Sequence, residues 1–377
     1  NPASKSNSDI RALGYDRLGQ SLWIGTMDGL NRYDARTHQF SRYFFDEADS
    51  ISLSHNENTS ILIDSKGSVW IGTRQGLNVY LHDLDEFVRL STKQNGLSSD
   101  EISCLYEDEM GNVWIGTTNG LNKAINGKGN EVSFLSYLTE EADSIGNSGD
   151  AIQALTSDYS GNLWMGFKWG GLSKWNPKTG EIKRFRHKEY DLQSISHDNV
   201  RALSFDGEGN LWIGTFWGLN KYNEGKGAFE RYFNHGYDES SLGSNSIKSI
   251  YKDRKGSLWI GSYFKGVSFF DPIVNRFKNY QQSLYINSLS YNVVSSFAED
   301  SLGNIWVGTE GGGIDYFDSQ NEVFTPLKEK FPHIPSPLIS TKKILLEDKG
   351  LWIGTVGEGL IFIDTESKKW INYRSDN

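Results

Sequence analysis

Apolar and polar positions along the chain fall into short runs rather than helical stripes. Asn199 to Phe205, N-V-R-A-L-S-F, reads as a strand, Asp206-Gly207-Glu208-Gly209-Asn210 as a tight turn, and Leu211 to Thr215, L-W-I-G-T, as a second strand. Phe216-Trp217 makes a short loop, Gly218 to Asn223 a third strand and, past a Gly-rich bend, Phe229 to Phe233 a fourth. Four apolar segments joined by turn chemistry predict an antiparallel meander of four strands. No segment keeps a helical period over the length of an ordinary helix, so the chain is expected to be all β.

The same unit returns eight times. Its cores begin at Trp23, Trp70, Trp114, Trp164, Trp212, Trp259, Trp306 and Trp352, at spacings of 47, 44, 50, 48, 47, 47 and 46. A sustained period of that size, with several strands per unit, marks a β-propeller. The expected fold is one all-β domain over residues 1-377, a β-propeller of four-stranded antiparallel blades. The blades fall near 9-50, 51-95, 96-142, 143-191, 192-238, 239-284, 285-331 and 332-377. Eight blades in one ring is the first expectation, and seven blades plus an extra repeat the alternative. Unit three has an irregular, Gly-rich outer part, Asn126 to Asn130; unit eight follows Pro332, Pro335 and Pro337 and shortens its turn to Asp348-Lys349-Gly350.

A lone four-stranded sheet is marginal because its faces have nothing to pack on, whereas sheets stacked around an axis bury one another. Tryptophan suits the second strand: one ring buries on the order of 150–250 Å², and its N–H is expected to find a carbonyl. The glycine two residues on, as in Gly25, Gly72 and Gly214, allows close approach or a bulge. The D-x-x-G turns, such as Asp206 to Gly209, offer too few carboxylates for calcium, and an aspartate folded onto its own turn explains them.

Composition removes several function classes. Lys+Arg 38 against Asp+Glu 48 leaves a net charge of -10, which argues against nucleic acid or an anionic membrane as partner. One cysteine, Cys104, sits in an inner-strand pattern and reads as a small core residue. No apolar run is long enough to span a bilayer, and the opening N-P-A-S-K-S-N-S-D lacks the apolar centre of a secretion signal. The seven histidines show no H-E-x-x-H or other metal spacing, and neither a G-x-S-x-G elbow nor a phosphate loop occurs. No metal, cofactor or catalytic residue is therefore expected. A distant carboxylate pair of the kind glycosidases use is left open.

L-W-I-G-T-M-D-G-L-N-R-Y-D at Leu22 to Asp34, S-L-S-Y-N-V-V-S-S-F-A-E-D at Ser288 to Asp300 and I-W-V-G-T-E-G-G-G-I-D-Y-F-D at Ile305 to Asp318 resemble the two-component regulator propeller repeat. That repeat builds the extracytoplasmic sensor part of hybrid two-component histidine kinases, best known from gut Bacteroidetes that sense polysaccharide breakdown products. The resemblance implies a periplasmic sensor, a non-catalytic fragment of a longer chain, with an oligosaccharide ligand and a homodimer in the intact sensor. It implies no nucleic acid and no membrane contact by this fragment itself. The alternatives are a propeller-scaffold polysaccharide lyase or glycosidase, and a protein-interaction ring without a small ligand.

Breaks in the repeat point to where a ligand would sit. The loop between strands two and three is polar in units one to three: Met27-Asp28, Arg74-Gln75 and Thr118-Asn119. Units four to six have Phe167-Lys168-Trp169, Phe216-Trp217 and Tyr263-Phe264-Lys265 instead. Aromatic faces stack on sugar rings, and lysines meet carboxylate or sulfate groups. A second row, five residues before each turn aspartate, reads Arg11, Thr59, Ser103, Gln153, Arg201, Lys248 and Ser295, with Lys343 in unit eight. These positions open the innermost strands, where basic members would focus a negative ligand. His197 lies in a neighbouring connection. The expected binding residues are thus Phe167, Lys168, Trp169, Phe216, Trp217, Tyr263, Phe264, Lys265, Arg201, Lys248, Arg11 and His197.

Overall fold

The computed structural model describes residues 6–126, 132–137, 151–236, 238, 240–271, 276–283, 288–334, 340–348 and 350–374. Residues 127–130 of the Gly-rich stretch, Pro335, Pro337 and Lys349 lie outside the described residues. Among those described, the chain forms eight four-stranded sheets, each with its strands in sequence order, and the protein is an eight-bladed all-β propeller. The alternative of a stray eighth repeat falls away. That repeat is a full sheet: Thr341–Glu347, Gly350–Thr355, Leu360–Asp364 and Trp370–Tyr373.

We letter the strands of each blade A to D in chain order. Blade 5 is Val200–Phe205, Leu211–Thr215, Leu219–Asn223 and Ala228–Tyr232, each strand close to its sequence expectation. Two helices were not expected, Thr92–Asn95 and Leu327–Lys330. Each is a single turn, too short to leave a periodic trace.

Contacts divide the chain into two compact units, residues 1–157 with 356–361 and 371–377, and residues 158–355 with 362–370. Both are built by the same packing. Each repeat tryptophan lies on strand B and is at most 3% exposed. It faces the next blade: Trp70 packs with Ile102 and Ile115, and Trp212 with Ile247, Ile260 and Phe270. The close approach depends on the glycine two residues later. A Cβ on Gly72 would stand 2.7 Å from Ile102 Cγ2, and one on Gly214 2.5 Å from Ile247 Cγ2. In the first unit, strand D of blade 8 reaches blade 1, where the Tyr373 hydroxyl donates to that of Tyr33 at 2.8 Å.

Five of the indole N–H groups go not to carbonyls, as the sequence suggested, but to the turn aspartates, while that of Trp23 has no partner among the described residues. Trp70, Trp114, Trp164, Trp212 and Trp259 donate to Asp64, Asp108, Asp158, Asp206 and Asp253 at 2.8–3.2 Å. The other carboxylate oxygen accepts backbone N–H groups of the turn, as Asp206 does from Glu208 and Asn210. One side chain thus shapes the hairpin and satisfies the core indole, which a backbone carbonyl could not do together. Burial alone would raise the carboxyls of Asp108 and Asp158, but these donors outweigh it and hold both below their ordinary value.

A buried polar network repeats beside the core. Ser196 N–H donates to Asn220 Oδ1 at 2.8 Å, Asn220 Nδ2 donates to Ser196 Oγ at 2.9 Å and to Ile213 O at 3.2 Å, and Ser196 Oγ meets Thr215 Oγ1 at 3.1 Å. Ser54, Thr73 and Asn78 repeat it, as do Ser98, Thr117 and Asn122. Each network ties the connection entering a blade to strands B and C of that blade.

Candidate functional site

The bulge of strand A builds the site. Register shifts by one between Val200 and Ala202, between Ile247 and Ser249, and between Thr341 and Lys343. The extra residue of a bulge is unpaired in the ladder and its side chain is re-aimed. Arg201, Lys248 and Lys342 are these extra residues. The first two were expected; in blade 8 the sequence count pointed to Lys343, one residue too far, because the shortened Asp348 turn moves the reference aspartate. Arg11 occupies the same bulge in blade 1. It belongs to the first unit, where it pairs with Asp9 at 3.1 Å.

In blades 5 and 6 the bulge cation meets the loop that follows strand B. The Arg201 guanidinium carbon lies 4.7 Å from the Phe216 ring centroid, and the Lys248 ammonium 5.7 Å from that of Tyr263. Such pairs attract through the ring quadrupole. The repetition has a local cause: Val200 pairs with Thr215 and Ile247 with Ser262, so each bulge residue stands next to the first loop residue. His197 packs its ring 5.4 Å from Phe216 and accepts the Asn199 N–H at 2.9 Å. Burial lowers its pKa.

The loop rings remain open to solvent. Trp169 is 50% exposed, Phe216 45%, Trp217 54%, Tyr263 43% and Phe264 63%, enough to offer stacking faces. Lys168 and Lys265 are exposed beside them. Phe167 differs. It ends strand B at 3% exposure, in the place where the other blades have a buried threonine or serine, so its ring fills the core and is not available to a ligand.

A carboxylate missed in the sequence completes the cluster. Glu310, from the loop after strand B of blade 7, bridges Lys248 and Lys342, the latter at 3.0 Å. Arg201 donates to Ser246 Oγ at 3.3 Å, joining blade 5 to the start of blade 6. Burial, with the charges of Lys342, Lys343 and Arg201, lowers the Lys248 ammonium to about 8. Burial also lowers Arg201 and Lys343; Lys343 is open to water but surrounded by enough protein to feel the loss of bulk solvent. Lys342, Lys343 and Arg201 all act on Lys248 as like charges, while Glu310 pairs with Lys248 and Lys342, so positive charge gathers here within an acidic chain. No group of side chains able to hold a metal ion occurs among the described residues.

Comparison with solved structures finds the fold repeatedly. The extracellular domain of a candidate one component system from B. thetaiotaomicron is 20% identical with a TM-score of 0.52, over 95% of this chain and 52% of that one. The chain thus spans about half the length of that relative. Virginiamycin B lyase from Staphylococcus aureus is 16% identical with a TM-score of 0.54, over 80% of this chain and 93% of that one. The Dos1 propeller, 11% identical, has a TM-score of 0.70 over 98% and 95%. At these identities the likeness is one of fold. No curated protein matches in sequence. The two component regulator propeller model matches residues 52–75, 96–119, 194–217, 241–264 and 288–311, in each case the connection into a blade, strand A and strand B.

Proposed function

Five stretches of the chain match the two component regulator propeller model, and from that premise we propose that it is the extracytoplasmic sensor module of a hybrid two-component system, not itself an enzyme. Its ligand is an oligosaccharide breakdown product bearing carboxylate or sulfate groups. The observation that carries this reading is the cation-over-ring pair repeated in blades 5 and 6, Arg201 on Phe216 and Lys248 on Tyr263, beside exposed Trp217, Trp169 and Phe264. Rings stack on the sugar faces, and the surplus cations receive the anionic groups. Ligand uptake shifts the packing of a dimer in the periplasm, to the extent that the two packings differ in affinity.

The test is calorimetric titration with sulfated, carboxylated and neutral oligosaccharides, using Trp217→Ala and Lys248→Ala as controls. Acidic sugars should bind, and each substitution should weaken them by about tenfold or more, the scale of one lost charged or stacking contact. Unchanged affinity in both variants would remove the reading. Release of unsaturated sugars during titration would replace it with a lyase.

A further inference from the structure

At the other ends of the strands, blades 7 and 8 flank a cleft of about 490 Å³, lined by Asp300, Trp306, Tyr316, Lys330, Asp348 and Glu366 among others. A change in the repeat lies beside it. In blades 3, 4 and 5 the residue of strand C paired with the tryptophan is Lys123, Lys174 or Lys221. In blade 7 it is Tyr316. Its hydroxyl donates to Asp300 Oδ2 at 3.1 Å, and Asn304 Nδ2 donates to the same oxygen at 3.0 Å. In blades 3 to 5 that oxygen takes the asparagine and the indole, as Asp108 does from Asn112 and Trp114. Tyr316 has taken the indole's seat.

Trp306 is 2% exposed, like the other repeat tryptophans, and lines the cleft, but its N–H has no acceptor among the described residues. That N–H is not sealed in the core, and the cleft its ring lines leaves it reachable by solvent or a ligand. Beside it the Lys330 ammonium lies 3.5 Å from the Tyr316 ring centroid, close enough to Asp300 for the two charges to offset each other. The side of the cleft formed by blade 8 carries Asp348 and Glu366. One part of the cleft therefore offers a neutral donor, and the other two carboxylates.

We propose that this cleft binds a small organic amine that also carries an oxygen acceptor, its ammonium set toward Asp348 and Glu366 and its oxygen on the indole N–H of Trp306. Charge-assisted contacts supply the affinity, and the indole selects for an oxygen within reach of the amine. The site is independent of the aromatic loops that carry the sensor reading.

Titrating the whole 377-residue protein with glucosamine hydrochloride, against glucose as its uncharged twin, tests the proposal by calorimetry. Glucosamine should bind and glucose should not. Asp348→Asn combined with Glu366→Gln, both surface changes that leave the core alone, should weaken glucosamine by about tenfold or more, as should Trp306→Phe where it folds. Trp217→Ala should leave glucosamine binding unchanged. Equal response to both sugars, no heat from glucosamine, full affinity in the carboxylate double variant, or loss of glucosamine binding in Trp217→Ala would each overturn it.

Discussion

Asp315 shows how much one atom can change in a repeated position. Asn31, Asn78, Asn122 and Asn220 stand at the equivalent place on strand C, and each donates from Nδ2 to a strand B carbonyl at 3.2–3.4 Å. Asp315 is fully buried and an ionised carboxylate has no proton to donate there. Burial raises its pKa to about 6, with a further push from Glu329, against the two bonds it accepts from Ser290. An acid raised on folding destabilises the native state above its unfolded pKa. The penalty from Asp315 is absent below pH of about 4, grows as pH rises through the window up to about 6, and is complete above it. Asp315→Asn should therefore gain on the order of 2–3 kcal/mol at pH 7 and nothing at pH of about 3.5, read as denaturant midpoints across pH. An equal gain at both ends would place the effect in packing instead. Two tryptophans five residues apart make a second contrast. Trp212 is 0% exposed and Trp217 54%; Trp212→Ala should cost about 3–5 kcal/mol, and Trp217→Ala within about 0.5 kcal/mol, in the same unfolding experiment.

At the scale of elements, the long connections between blades are held by side chains of strand D. Arg231 donates to the carbonyls of Asp191, Ser194 and Ile195 at 2.5–3.2 Å. Arg89 holds Asp46, Asp49 and Ser52 in the same way at 2.7 Å. A planar guanidinium can serve several converging carbonyls at once, whereas an ammonium serves them as a point charge. Arg231→Ala should speed amide exchange across 191–196 and cost about 1–3 kcal/mol, with Arg231→Lys recovering only part of the protection. Exchange unchanged in that segment would show that the backbone holds the connection by itself. Since the same connection carries His197 into contact with Phe216, the clamp also positions the proposed ligand face.

For the whole molecule, the acidic net charge of -10 makes a local surplus of cations the feature an anionic ligand would find. Lys248 is its titratable member, lowered to about 8. A cation lowered on folding loses its charge once pH passes that value, so affinity for a sulfated or carboxylated oligosaccharide should fall between pH 7 and pH 9. Lys248→Arg keeps the charge at both and should flatten the profile. Calorimetry at several pH values checks this; a flat wild-type profile would remove Lys248 from the site.

Much of this architecture is legible in the sequence. The period from Trp23 to Trp352 and the turn aspartates set eight blades, their four strands and their buried rings, because strand alternation and hairpin chemistry are local and each unit repeats the same local choices. The loop aromatics were legible for the same reason, as departures from the repeat. Phe167 was misplaced because its burial depends on where strand B ends, and Lys342 was passed over because its role depends on where strand A bulges. Glu310 lies 62 residues from the Lys248 it contacts, and the freed indole of Trp306 arises from a tyrosine on the neighbouring strand. Register and contacts between blades are set by packing among residues distant in the chain, and so these were decided only when the sheets came together.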